Sequence, residues 1–233
     1  MEAITIAFIA TIILIGGKFA LAFYLHTKIR AKVALTGVKR LDFLYGVFIL
    51  ILGLGLARLT YGYYDFFLTK FDPNLLWVRP NVYFWQVATF IGGFTGAFVL
   101  FAVERDIYRF KLKLIPTTVI MGVAFVQLFY PIRSQADFAL VSNLGTIGML
   151  SSVIVVFTFV YLAVKSSGEM RRVSLVLVFS LIGYALTGML MSEPILNAID
   201  VGFGLRTVII ILVPIAKLVF LGLFGYGATK FQM

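Results

Sequence analysis

Seven runs of predominantly apolar residues, each close to the length needed to cross a bilayer, decide what this chain can fold into. They cover residues 3–27, 42–67, 81–103, 114–131, 138–164, 173–192 and 206–228. Backbone polar groups inside hydrocarbon must be satisfied within the segment, so each run is expected to be a helix. The alternative, one large soluble core, fails on arithmetic. Apolar residues make up 61% of the 233 and charged residues only 13%, about half the charged share of an ordinary soluble domain, and a chain of this size cannot hide that much apolar surface from water. The expected fold is all-α: a polytopic membrane protein forming one seven-helix transmembrane domain over residues 1–233, with short loops.

Loop charges orient the bundle. Lys28, Arg30, Lys32, Lys39 and Arg40 follow the first span, Arg105, Arg109, Lys111 and Lys113 the third, and Lys165, Arg171 and Arg172 the fifth. Lys230 lies at the end of the seventh, on the same side. The opposite loops hold Lys70, Arg79, Arg133 and Arg206. The positive-inside rule therefore predicts an N-terminus outside and a C-terminus in the cytoplasm of a prokaryotic plasma membrane. The net charge of +10 reads as this cytoplasmic excess, not as a nucleic-acid surface. Met1-Glu2-Ala3 supplies no basic n-region, so a cleaved signal peptide is not expected.

Several chemistries are excluded or unsupported. The absence of cysteine removes disulfides, thiolate metal sites and cysteine nucleophiles. A single histidine, His26, leaves no multi-histidine metal or haem site. No phosphate-binding glycine loop is complete, since Gly202-Phe203-Gly204 lacks the third glycine. Glu104 and Asp106 stand among Arg105 and Arg109 and are expected to form a solvated ion-pair cluster at the cytoplasmic boundary. No enzymatic activity, metal or resident cofactor is expected.

Ionisable residues inside spans carry the functional signal, because charge in hydrocarbon is costly. Three are basic: Lys18 in span one, Arg58 in span two and Lys217 near the middle of span seven. None of the acids lies deep in a span, and Arg58 can reach only toward Asp65. The buried cations therefore call for an anionic or lipid-like ligand, carboxylates from another membrane subunit, or neutral lysines. Pro214 lies three residues before Lys217 and cannot donate to the carbonyl of Ile210, which predicts a kink beside the lysine. Tyr61, Tyr63 and Tyr64, with Trp77, Tyr83 and Trp85, read as an interfacial aromatic belt; alternatively Tyr61, Trp85 and Gln86 line a pocket around Arg58. Gly92 and Gly96 form a G-x-x-x-G packing face, Gly16 and Gly17 leave room for a helix beside Lys18, and Gln127 and Asn143 are expected to hydrogen-bond between helices.

The segment Ala216-Lys217-Leu218-Val219-Phe220, in the last of seven spans, resembles the retinal-lysine segment of microbial rhodopsins. That resemblance implies retinal at Lys217. The chain departs from the family where an acid usually stands one turn before the lysine, here Val213, and spans three and six lack its counterion and tryptophan. The layout, with Arg58-Leu59-Thr60-Tyr61-Gly62-Tyr63-Tyr64-Asp65 closing span two and Val103-Glu104-Arg105 closing span three, is also similar to seven-helix membrane proteins of archaea, which implies no activity. Three functions stay open from the residues: a sensor or receptor-like ligand-binding domain, a subunit of a larger membrane complex, or an anion transporter or channel.

Overall fold

A computed structural model describes residues 2–37, 42–190 and 203–231. It is all-helical, with α1 (Glu2–Thr36), α2 (Phe43–Tyr63), α3 (Asn81–Asp106), α4 (Ile115–Phe129), α5 (Gln135–Lys165), α6 (Gly168–Leu190) and α7 (Phe203–Lys230). Six helices are long and apolar enough to cross a membrane. The shorter α4 has 15 residues and spans about 22 Å. The architecture is that of a multi-pass helical membrane protein.

Local chemistry explains the boundaries. Gly37, at φ 68°, ends α1 in the left-handed conformation that glycine adopts without steric cost. This ending lies nine residues beyond the expected 3–27 span, because the basic stretch after Thr27 contains no helix breaker before Gly37. Asp42 caps α2 by accepting from the Tyr45 amide at 2.9 Å, and Lys32 pairs with it at 2.6 Å. Pro116 occupies the first turn of α4, where a missing amide hydrogen costs nothing. Tyr130, held extended by Pro131, stops that helix. Ser134 and Asp137 form a reciprocal capping box on α5. Beyond Tyr63, α2 continues as a π-helical turn, Tyr64–Thr69. It leads into Lys70 and Phe71, both with positive φ.

Each helix packs on its sequence neighbour, and α7 closes back on α1 and α6. The result is a ring of helices. Two regions of the bundle interior differ sharply. Toward the end carrying the α1–α2, α3–α4 and α5–α6 connections, the core is dense with Leu25, Val47, Leu100, Leu177 and Phe224. Phe43, Phe159 and Phe231 fill its centre, with ring centroids 5.2–5.3 Å apart. Toward the other end the helices diverge around a cavity.

Two expectations need correction here. Glu104 is not solvated: it is completely buried at the α3–α4 interface and accepts a hydrogen bond from Thr117. Its Oε1 has no partner among the described residues. The carboxylate points toward α4 and away from Arg105, whose guanidinium instead pairs with Asp106. The tyrosine-rich end of α2 is not a uniform belt either, because residues a helical step apart point about 100° apart. Tyr63 is exposed and stacks on Phe67, whereas Tyr64 is buried and donates to the Leu76 carbonyl at 2.7 Å. Tyr61 turns into the bundle. Pro194 and the end of the expected sixth span, Ser192, lie outside the described residues.

Candidate functional site

The cavity has a volume of about 470 Å³ and is walled by α1, α2, α3, α6 and α7. Its lining includes Lys18, Arg58, Tyr61, Pro214 and Lys217, and also Asp65, Phe71, Thr89, Gly92 and Tyr184. Three basic side chains far apart in sequence therefore meet in one space.

Helical geometry explains how they meet. Leu14 and Lys18 are one turn apart on α1, and Leu54, Arg58 and Tyr61 succeed one another along one face of α2. Val213, Pro214 and Lys217 do the same on α7. Close contact between α1 and α7 then brings the lysines together: a Cβ placed on Gly17 would fall 2.6 Å from a Leu218 methyl. Gly17 precedes Lys18 and Leu218 follows Lys217, so the tightest part of this interface adjoins both lysines.

Each cation has a different environment. Lys18 is only 4% exposed, and its ammonium donates to the Leu54 carbonyl oxygen at 3.1 Å. Arg58 donates from Nη2 to the Thr11 hydroxyl at 3.1 Å and lies 3.7 Å from the Asp65 carboxylate, while its buried Nε has no partner among the described residues. Lys217 faces the cavity without a hydrogen bond or ion pair to a described residue. The Lys18 charge is repelled by both Arg58 and Lys217. Among the described lining residues, Asp65 is the sole carboxylate, and the π-helical turn is what brings it to the cavity beside Phe71.

Hydroxyl groups complete the wall. Thr89 donates to the Trp85 carbonyl at 2.8 Å, which leaves its oxygen to accept from Tyr61. Opposite them stands Tyr184. The remaining surface is mainly aliphatic: Leu14, Leu54, Ala57, Ala88 and Val213. The combination of a few polar groups on an apolar wall is the general form of a small-molecule site, and here three of the four ionisable carboxylate or basic side chains, Lys18, Arg58 and Lys217, are basic.

Other sequence candidates sit elsewhere. Trp85 packs on Phe138 in a small cluster with Val82, Ile132 and Val141. Gln86 is buried, and its amide donates to the main-chain oxygens of Gln127 and Tyr130 at 3.0 and 2.8 Å. It thereby satisfies carbonyls at the end of α4 that have no helical partner. Gln127 in turn donates to the Val141 carbonyl at 3.0 Å, linking α4 to α5. Asn143 is exposed and lines a separate, smaller recess with Trp77 and Phe138. Among the glycines of α3, Gly93 meets α4 most closely, its added Cβ lying 2.9 Å from that of Ala124. Gly96 makes only an ordinary contact with Ile120. A Cβ on Gly92 would meet nothing within 4 Å and would project into free space.

Sequence reasoning overlooked Thr11, Thr89 and Tyr184. Thr11 could have been found, since it lies two turns before Lys18 and shares its helix face. Thr89 and Tyr184 carry no such signal, because neutral hydroxyl residues are common in membrane helices.

Retinal does not fit these surroundings. A protonated Schiff base at Lys217 needs a nearby carboxylate, yet Asp65 already faces Arg58 and a further basic residue, Lys18, shares the space. Pro214 lies within a helix that continues to Lys230; what it supplies is the Ile210 carbonyl, left without its usual amide donor. No family model, curated protein or solved structure matches the chain.

Proposed function

We propose that this chain is a prokaryotic plasma-membrane protein that crosses the bilayer seven times, N-terminus outside and C-terminus cytoplasmic. It acts without catalysis, as a sensor or receptor-like domain that binds an anionic ligand in its cavity. The observation carrying this reading is the convergence of Lys18, Arg58 and Lys217 on one space whose described lining offers a single carboxylate. Buried cations in excess of anions are stabilised when an incoming anion supplies the missing charge.

Two other readings draw less support. Carboxylates of a partner subunit would have to reach these cations from outside, but Lys18 is 4% exposed and the group faces the interior of the ring. An anion channel needs a continuous path, whereas the Phe43, Phe159 and Phe231 cluster packs the bundle on the cytoplasmic side of the cavity. A cavity closed off by such a packed core suits binding better than conduction.

Native mass spectrometry of the protein, extracted in mild detergent from its own membrane, tests the reading. The expected result is a single chain retaining a small anionic molecule that Gly92→Leu loses. A bare chain, or retention unchanged in Gly92→Leu, overturns it.

A further inference from the structure

The charges in the cavity also restrict the kind of anion, an inference that rests on the anion-binding reading above. Arg58 is partly answered by Asp65, 3.7 Å away, and by the Thr11 hydroxyl. The two lysines are not answered by any described carboxylate. Lys18 has a main-chain carbonyl, which carries no net charge, and Lys217 has no described partner. The described lining thus holds three basic side chains and one carboxylate, a formal excess of two positive charges.

Where those charges lie matters as much as their number. Lys18 and Lys217 adjoin the same tight contact, Gly17 against Leu218, and both line the cavity. A monovalent group would leave one of the two lysines unmatched, whereas one dianion answers both. We propose that the cavity takes a compact dianion of the phosphate monoester class. Its head lies between Lys18 and Lys217, and its apolar body rests on the aliphatic wall of Leu14, Leu54 and Val213. Lysine suits this role as a point charge that needs no planar, bidentate partner.

Phenyl phosphate and phenyl sulfate separate charge from shape, because they are nearly isosteric. At about pH 8 the phosphate ester carries close to two negative charges and the sulfate ester one. Both are titrated calorimetrically into the full-length protein in nanodiscs of a zwitterionic lipid. Phenyl phosphate is expected to bind about tenfold more tightly or better, the gain of one further charge-assisted contact. Lys217→Gln or Lys18→Gln is expected to erase most of that preference, and Gly92→Leu to abolish binding of both esters. Equal affinity for the two esters overturns the dianion while leaving anion binding in place. Binding of neither overturns the anion-binding reading as well. Binding that persists in Gly92→Leu assigns it to the basic surface and overturns both. If a lysine variant does not fold, the ratio measured on the unaltered protein still decides.

Discussion

Lys18 on α1 and Leu54 on α2 are joined across the helix interface, the ammonium donating to the main-chain oxygen at 3.1 Å in a site where the lysine is 4% exposed. A neutral carbonyl compensates a buried ammonium only in part. Lys18 is therefore held in place more than it is stabilised. The bundle thus keeps an incompletely compensated amino group at the cavity wall, which supports the proposed anion site.

Replacing that lysine separates stability from binding. Lys18→Met removes one hydrogen bond, worth about 1 kcal/mol, together with the larger cost of burying the charge. The melting temperature in detergent is expected to hold steady or rise, while affinity for phenyl phosphate falls about tenfold or more. A marked loss of stability would show that the lysine serves the fold.

If the cavity takes an anion as proposed, Asp65 competes with it for Arg58. The pair is 3.7 Å apart and both side chains are partly exposed, so their interaction is worth at most about 1 kcal/mol. Asp65→Asn releases the guanidinium and is expected to raise anion affinity about two- to fivefold, on the scale of that interaction. Calorimetric titration with phenyl phosphate reads the change, and lower affinity would assign Asp65 to the bound state.

Glu104 and Thr117 form a buried pair on the far side of α3 from the cavity. Thr117→Val leaves a wholly buried carboxyl group without its donor and is expected to cost about 1–3 kcal/mol. The double replacement Glu104→Leu with Thr117→Val removes both polar groups and should recover most of that loss. Thermal unfolding of the two variants beside the unaltered protein measures it. Anion binding should not change in Thr117→Val, because α4 does not line the cavity.

Two glycines should respond in opposite ways. A Cβ on Gly46 would lie 3.0 Å from the Phe98 carbonyl oxygen and 3.4 Å from the Val99 Cα, backbone atoms that cannot rotate away. Gly46→Val should force α2 from α3 and lower stability by about 1–3 kcal/mol. Gly92→Leu, entering open space, should keep its melting temperature and lose the ligand. Paired melting and binding measurements distinguish the two.

The proposed orientation can be tested directly because the chain has no cysteine. Arg133→Cys and Lys111→Cys place single thiols at exposed positions on opposite ends of the bundle. A membrane-impermeant maleimide should label the first on intact cells and the second only after permeabilisation. The reverse pattern would invert the topology.

The sequence alone was enough for the helical class, the approximate helices and the rarity of the three basic residues within spans, because the bilayer acts on each segment separately. Twenty apolar residues, a proline at Pro131 or a glycine at Gly37 have the same local consequence in almost any packing arrangement. How residues from different helices meet is another matter. Lys18, Arg58 and Lys217 share a cavity only because α7 closes the ring against α1 through Gly17 and Leu218. Gln86 stands one position from Trp85 and looked equally able to reach Arg58, yet a rotation of about 100° sends it to the end of α4 instead. Glu104 looked solvated among basic neighbours, and its burial depends on the approach of Thr117 from α4. Helix rotation and pairing arise from contacts summed over the whole bundle, and tertiary structure alone decided them.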